Sequence, residues 1–271
     1  MEMIARLRAD AAKLLSDGRV RLVIGYADRG NGRRAPVFVA DPAQVDRLVF
    51  DDACRQNLAA YLRKVEIRTR APVAVVASPA VMRSLVLLAT ESQIAEGAVL
   101  VLAAGPGEYF GARSLAETAA LLTEKFADLA PSAETVRRLK ELAAMSADER
   151  AAFWSAAFAK CTRCYACRAA CPGCYCTRCV VERNMPQWIS TGAAEHGNYA
   201  WNIIRAFHLA GRCTGCGACE EACPQGLPLG LLNAMLEVEV AERFGVKAGY
   251  DLAAEPVIGS FAADDNEDFI K

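Results

Sequence analysis

The sequence predicts an α/β N-terminal domain and a cysteine-rich α+β domain, joined by a helical arm. Two observations indicate this. Short apolar runs alternate with helical periodicity up to about residue 112. Eleven of the twelve cysteines lie between residues 161 and 223. The predicted units are an α/β domain over 1–112, a helical connector over 113–160, a cysteine domain over 161–228 with an insertion at 172–212, and a C-terminal helix with an acidic tail over 229–271.

Composition narrows the class of protein. The 271 residues are 54% hydrophobic and 23% charged, which favours packed cores and roughly two domains. A net charge of −1 argues against nucleic-acid binding by bulk charge. The first ten residues carry four charges, unlike a signal peptide, and the apolar stretch 71–89 is broken by Pro72, Pro79 and Arg83. We therefore expect a cytoplasmic protein without a membrane span, in which cysteines bind metal rather than form disulfides.

The elements of the N-terminal domain follow from local patterns. Apolar residues at helical spacing predict a helix over 3–16, and β-rich runs flank an Asn-Gly turn. A buried strand, a helix opening at Ser78-Pro79 and another buried strand predict a parallel crossover unit. The remaining predictions are a strand at 21–26, its hairpin partner at 37–40, a short helix opened by Asp41-Pro42, a helix over 52–64, strands at 73–77 and 98–103, and a helix from 78 to about 95.

The rest of the chain has mainly helical patterns. Helices are predicted over 114–127, 132–144, 146–160, 198–211 and 229–244. "SADE" at 146–149 fits a capping box, because Glu follows the capping Ser by three positions. In the helix 198–211, Trp201, Ile204 and Phe207 or His208 share one side. The final "FAADDNEDFIK" is acidic and reads as a mobile or partner-binding tail.

The strongest signal is a pair of four-cysteine runs, each reading C-x2-C-x2-C-x3-C-P. In this motif three thiolates bind one [4Fe–4S] cubane and the fourth binds the other. The first predicted cluster takes Cys161, Cys164, Cys167 and Cys223, and the second takes Cys213, Cys216, Cys219 and Cys171. The residues 161–228 are therefore predicted to form a ferredoxin-like dicluster domain. A zinc site is the alternative, but it would favour paired C-x2-C knuckles.

Three further cysteines form C-x-C-x2-C at Cys174, Cys176 and Cys179. Three thiolates need a fourth ligand to complete a further cubane, and Cys54 is the remaining cysteine of the chain. A third [4Fe–4S] cluster on these four residues is one hypothesis. A zinc site, a ligand from a partner and unmetallated thiols are the alternatives, and a lone cysteine such as Cys54 is often a small buried hydrophobe.

Three weaker sequence features follow, some of which allow two interpretations. The stretch "AAGPGEYFG" at 103–111 could approach a flavin or nucleotide phosphate, but it lacks the full dinucleotide fingerprint and favours a plain loop. His208 is expected to pack on its helix, and His196 to be exposed. Basic residues around the cysteines form either a solvated face or a group that raises cluster potentials and attracts an acidic partner: Lys160, Arg163, Arg168, Arg178, Arg183 and Arg212.

The cysteine stretches "CTRCYACRAACPGCYC" and "CTGCGACEEACP" resemble those of iron–sulfur electron-transfer subunits with a two-cluster ferredoxin domain. Such subunits accompany hydrogenases, formate dehydrogenases and heterodisulfide-reductase-like flavoproteins. Upstream, "RLVIGYADRGNGRRAPVFVADPAQVDRLVF" and "APVAVVASPAVMRSL" resemble the α/β domain of the coenzyme F-420 hydrogenase and dehydrogenase beta-subunit family. Together these resemblances cover most of residues 18–225.

The resemblance implies an electron-transfer subunit of a redox complex, with catalysis in partner subunits. That family carries a glycine-rich stretch near its FAD, before the first of these strands. Here residues 1–18 have room only for a helix, so the fold is the firmer implication. An alternative function is a flavin-bearing dehydrogenase subunit that exchanges electrons between a soluble two-electron carrier and the clusters.

Overall fold

The N-terminal half is built around one mixed sheet. The computed structural model describes residues 2–127, 129, 131–183 and 185–257. Its strands are β1 (Leu22–Asp28), β2 (Arg34–Val39), β3 (Val73–Ala77), β4 (Val99–Gly105) and β5 (Glu108–Arg113). They lie in the order β2-β1-β3-β4-β5, with β1, β3 and β4 parallel and the two edge strands antiparallel.

The helices follow the predicted periodicities for most of the chain. They are α1 (Glu2–Ser16), α2 (Val65–Arg68), α3 (Pro79–Thr90), α4 (Leu115–Lys125), α5 (Ala133–Ala144), α6 (Ala147–Ala159), α7 (Ala166–Ala170), α8 (Glu195–Phe207), α9 (Ala218–Glu221) and α10 (Leu229–Phe244). Short 3-10 helices cover Pro42–Arg47, Leu58–Arg63 and Val180–Glu182. Within the described residues, no helix is long and apolar enough to cross a membrane.

A first hydrophobic core surrounds the sheet. All five residues of β3 are buried, which requires cover on both faces of the sheet. The helix α1 packs against β5, β1 and β4, while α3 and α4 pack on each other and on β4. The parallel unit β3-α3-β4 places the end of β3 beside the start of α3, where Ser78 accepts a hydrogen bond from the Val81 amide. The predicted crossover unit and the hairpin of β1 and β2 are both present.

A second core is helical and contains cysteine side chains. Trp154 and Phe158 of α6 stack with ring centroids 5.5 Å apart, and Phe158 meets Tyr199 of α8 at 5.8 Å. Buried Cys167 and Cys219 belong to this core. Since α4 contributes to the first core and α5 and α6 contribute to the second, the three helices of the predicted connector are divided between the two. The connector as a separate arm stays a prediction.

Hydrogen bonds and an ion pair connect the first core to the second. Arg83 of α3 is 5% exposed, pairs with Glu237 of α10 at 2.9 Å and donates to the Ala248 carbonyl at 3.0 Å. The Ser84 and Thr214 hydroxyls lie 2.8 Å apart. Because Thr214 lies between Cys213 and Cys216, these contacts seat the second cysteine run directly against α3.

Three predictions for the N-terminal half differ from the structure, and two of them concern helices. No α-helix covers 52–64: residues 51–57 form turns before the 3-10 helix Leu58–Arg63. The Asp51 carboxylate accepts from the Ala53 amide and the Asn57 side chain accepts from the Ala59 amide, bonds that compete with helix formation. The helix after Ser78 ends at Thr90 rather than near 95.

The stretch 103–111 is also different from a plain loop. It contains the end of β4, a turn at 106–107 and the start of β5, with Gly105 paired to Glu108 and Gly107 at a φ of +75°. The edge strand β5 escaped prediction because its short, mixed run lacks clear alternation.

One prediction about α8 needs correction. Trp201 is buried, but Phe207 is 56% exposed and His208 is exposed, so His208 is not packed on the helix as predicted. His196 is exposed, as predicted. The helix α10 matches the predicted 229–244, and the acidic tail, residues 261–271, lies outside the described residues.

Candidate metal centres

The first candidate site is a narrow cavity, cavity A, lined by Cys161, Cys164, Cys167 and Cys223. Two left-handed residues fold the loop around it, since Arg163 and Tyr165 have φ values of 56° and 60°. Such a conformation is costly for residues with side chains and marks a functional or tightly constrained loop. Cys223 arrives from the far end of the second run, as the crossed motif predicts.

Backbone amides point at sulfur atoms around cavity A. The Arg163 amide donates to Cys161 Sγ at 3.4 Å, and the Leu227 amide donates to Cys223 Sγ at 3.5 Å. The buried Asn198 of α8 donates to the Cys161 carbonyl at 2.7 Å. Hydrogen bonds to sulfur stabilise a reduced, more negative cluster and tune its potential.

The second candidate site is a larger cavity, cavity B, whose lining includes Cys171, Cys213, Cys216 and Cys219. Gly215 and Gly217 have φ values of 62° and 70°, and the short helices α7 and α9 pack together beside them. The Asn233 amide of α10 lies 3.6 Å from Cys219 Sγ. Cavity B has a volume of about 1080 Å³ and extends to the N-terminus of α3 and to Pro106.

The donor chemistry of both cavities fits iron–sulfur clusters. Burial raises the pKa of Cys167 to about 11 and raises the pKa of Cys213. A buried thiol is therefore neutral by itself, and a metal ion deprotonates it on coordination. In the described ranges, no three His, Cys, Asp or Glu side chains converge as ligands of a single metal ion would. A cubane spreads its four thiolates over four irons, so each cavity supplies the required donors without such convergence.

The three additional cysteines lie in different surroundings. Cys174 lies against Cys171, and a hydrogen bond between the two thiols lowers the pKa of Cys174, with the nearby Arg205 and Arg63 acting in the same direction. Cys176 is exposed, and Cys179 belongs with the second core.

Cys54 lies in the first core and is 8% exposed. Its thiol faces the Asp51 carboxylate at 3.7 Å and the Val49 carbonyl at 4.0 Å. Burial raises the pKa of this thiol to about 11, as for a small buried side chain. Neither cavity A nor cavity B includes Cys54 in its lining.

Arginines hold the loop that carries these cysteines. Arg63 of the first core donates to the Cys174 carbonyl, Arg168 to the Cys176 carbonyl at 2.8 Å, and Arg212 to the Gly173 carbonyl at 3.3 Å. Arg212 also pairs with Glu91, whose side chain is 7% exposed. These contacts tie residues 173–176 to both cores.

The basic residues around the cysteines are only partly a solvated face. Arg163 is 6% exposed and donates to the Gly197 and Ser190 carbonyls, whereas Arg178 and Arg183 are exposed. Sequence reasoning missed Arg205 of α8, which is 5% exposed and donates to the Cys167 carbonyl at 3.2 Å. Arg205 follows Trp201 by four residues and therefore shares its side of α8, and this spacing could have indicated that Arg205 is buried.

A comparison with family models shows which kind of domain the cysteine region resembles. The model for the 4Fe-4S dicluster domain matches residues 160–228. Residues 160–228 are therefore similar to 4Fe-4S dicluster domains. The eight cysteines that line the two crossed cavities lie within these residues, and the predicted iron–sulfur, electron-transfer character of the chain is confirmed.

Two curated proteins are similar to the chain. The beta subunit of the F420-dependent formate dehydrogenase of Methanocaldococcus jannaschii is 29% identical over 104 residues, or 38% of this chain and 27% of that protein. The beta subunit of the F420-dependent formate dehydrogenase 1 of Methanococcus maripaludis is 29% identical over 106 residues, or 39% of this chain and 27% of that protein. The alignments therefore span about a quarter of the length of these relatives. They support the predicted resemblance to this kind of iron–sulfur subunit.

Proposed function

We propose that the chain is an electron-transfer subunit of a cytoplasmic multi-subunit redox complex. It relays electrons through two [4Fe–4S] clusters, with the substrate chemistry in partner subunits. Cluster 1 is held by Cys161, Cys164, Cys167 and Cys223, and cluster 2 by Cys171, Cys213, Cys216 and Cys219.

The crossed composition of the two cavities carries this proposal. Each cavity combines three cysteines of one run with the last cysteine of the other run. Such crossing forces two clusters to be neighbours, because the residues that link the third and fourth cysteines of each run, such as 168–170, are few. Neighbouring clusters suit electron relay.

The arrangement also gives the relay a direction in space. Cys164 of cavity A is exposed, whereas the lining of cavity B includes residues of both the dicluster domain and α3 of the first core. Electrons would therefore enter or leave through cluster 1 at the surface and through cluster 2 at the side of the α/β layer. The similar formate dehydrogenase subunits make a formate dehydrogenase-like enzyme the first partner to test; a hydrogenase or a heterodisulfide-reductase-like flavoprotein are the others.

Single cysteine substitutions test the relay. Cys164→Ser should remove cluster 1 and Cys216→Ser should remove cluster 2, each with loss of about four irons and of electron transfer to a soluble dye or partner. The matched control is Cys54→Ser, which should keep both clusters of the dicluster domain. Undiminished electron transfer in both cluster variants would refute the proposal.

Cavity B favours a second candidate function, in which the chain also binds FAD. Its volume of about 1080 Å³ suits a large cofactor, and the N-terminus of α3 at Ser78 offers amides of the kind that bind phosphate. Arg55 and Arg138 also line this cavity. In this case the chain would exchange electrons between a soluble two-electron carrier and cluster 2. Flavin released on denaturation of the purified chain, visible by its absorbance, would support this function, and its absence would refute it.

A third [4Fe–4S] cluster on Cys54, Cys174, Cys176 and Cys179 stays a proposal. Cys54 is buried in the first core, Cys176 is exposed and Cys179 packs against the second core. Iron and acid-labile sulfide near twelve per chain would support three clusters, and values near eight would support two. If Cys54→Ser lowers the iron content by about four, Cys54 is the missing ligand; an unchanged content contradicts that role.

A further inference from the structure

A buried arginine lies among the cysteines of both cavities. Arg205 on α8 is 5% exposed, and its Nη2 donates to the Cys167 carbonyl at 3.2 Å. Its Nε has no hydrogen-bond partner among the described residues. The helix α8 comes from the insertion between the two cysteine runs, so the insertion delivers this side chain to the dicluster domain.

The guanidinium interacts with thiols that line cavity A and with thiols that line cavity B. Burial alone would lower its pKa, but the thiols of Cys174, Cys171, Cys167 and Cys219 act on its charge and raise the pKa above the ordinary value. Cys167 lines cavity A, whereas Cys171 and Cys219 line cavity B. Arg205 is therefore within electrostatic reach of both clusters.

No carboxylate balances this charge in the described part of the chain. The Arg205 guanidinium also hydrogen-bonds to the Cys174 thiol and contacts the Trp201 ring, whose centroid is 5.9 Å from Cζ. A buried cation without a counter-ion is strongly unfavourable, and a guanidinium cannot escape by losing its proton. Thiolates and sulfides of ligated clusters are the negative charges available to it.

Building on the proposed function, we propose that Arg205 is a positioning residue that sets the reduction potentials of both clusters. Each cluster gains one negative charge on reduction. A fixed positive charge between the clusters stabilises that added charge on either one and raises both potentials. The backbone bond to Cys167 keeps the guanidinium in place, and burial keeps water from screening it.

The test is a potentiometric titration of the purified holoprotein, followed by the electron paramagnetic resonance of the reduced clusters. Arg205→Gln should lower both midpoint potentials, each by at least a tenfold change in the reduction equilibrium, about 59 mV for a one-electron couple. Arg205→Lys keeps the charge and should hold both potentials close to those of the wild type. The control is Arg243→Gln, which removes an exposed arginine paired with Glu239 on α10 and should shift neither potential.

The outcomes separate this inference from the proposed function. A wild-type chain without cluster signals would refute the function itself. If both clusters assemble in Arg205→Gln and one or neither potential falls, the inference is wrong while the relay stands. If Arg205→Gln fails to assemble clusters, Arg205→Lys decides: assembly with wild-type potentials supports a role of charge, and failure to assemble, or shifted potentials, overturns it.

Discussion

A single methyl group at Gly249 should loosen the attachment of α3 to the dicluster domain. Gly249 has a φ of +78°, and a Cβ built there would lie 2.2 Å from the Arg83 carbonyl oxygen and 2.7 Å from the Arg83 carbonyl carbon. These atoms are helix backbone and cannot rotate away. Residues 248 and 250 are also attached to Arg83, because the Ala248 carbonyl accepts from its Nε and the Tyr250 ring lies 4.8 Å from its Cζ.

The neighbouring Gly245 provides a matched control. It has a φ of +67°, but nothing lies within 4 Å of a Cβ built there. Both alanine substitutions place a side chain in the left-handed region, at about 1–2 kcal/mol. Only Gly249→Ala adds the cost of forcing packed groups apart, about 1–3 kcal/mol. The two variants should therefore differ by about 1–3 kcal/mol in the free energy of unfolding.

The assay is urea unfolding of the holoprotein under anaerobic conditions, followed by fluorescence and by cluster absorbance. Gly249→Ala should unfold at a clearly lower urea concentration than Gly245→Ala. We also expect bleaching of cluster 2 by an iron chelator to accelerate in Gly249→Ala, since the paired side chains of Arg83 and Glu237 lie beside Gly215. Equal stabilities of the two variants would refute the view that close packing at Gly249 fixes α3 in place.

Three further predictions concern stability. Glu91→Ala should lower the free energy of unfolding by about 3–5 kcal/mol, because it leaves Arg212 without its buried partner. Glu239→Ala removes one member of an exposed pair with Arg243 and should lower it by less than about 0.5 kcal/mol. Thermal unfolding compares the two variants, and equal losses would contradict the view that the Glu91–Arg212 pair is buried. Ser114→Ala should cost about 1 kcal/mol through loss of the capping box of α4, measured by urea unfolding against Ser114→Thr, which should restore most of it. Removal of iron with a chelator should lower the unfolding midpoint of the holoprotein, because the cysteine loops of both cavities fold around their ligands; an unchanged midpoint would show that these loops are stable without clusters.

Local chemistry explains why much of the fold could be predicted. The parallel unit of β3, α3 and β4 follows from two apolar runs and the capping Ser78. The capping box at Ser146 and Glu149 is present as predicted. The prediction over 52–64 was wrong because side chains such as Asp51 and Asn57 bond to nearby amides. These bonds depend on side-chain geometry that helical periodicity does not contain.

The candidate sites could also be predicted only in part. The spacing of the cysteines alone predicted which four residues meet in each cavity, because the crossed motif fixes its partners through short connections. The surroundings of Cys54 could not be read from arithmetic that matched twelve cysteines to three clusters. Packing decides them, since Cys54 fills a space in the first core beside Asp51.

The sequence by itself determined the iron–sulfur chemistry, the crossed pairing of the two runs and the α/β character of the N-terminal part. Those properties depend on residue type and spacing, which act over short stretches of chain. Only the tertiary structure decided that Arg205 lies buried among both sets of cysteines and that Arg83 joins α3 to α10. Both arginines meet partners that are distant in the chain, 38 residues away for Cys167 and 154 for Glu237. Contacts over such separations arise when whole elements pack, and no local pattern records them.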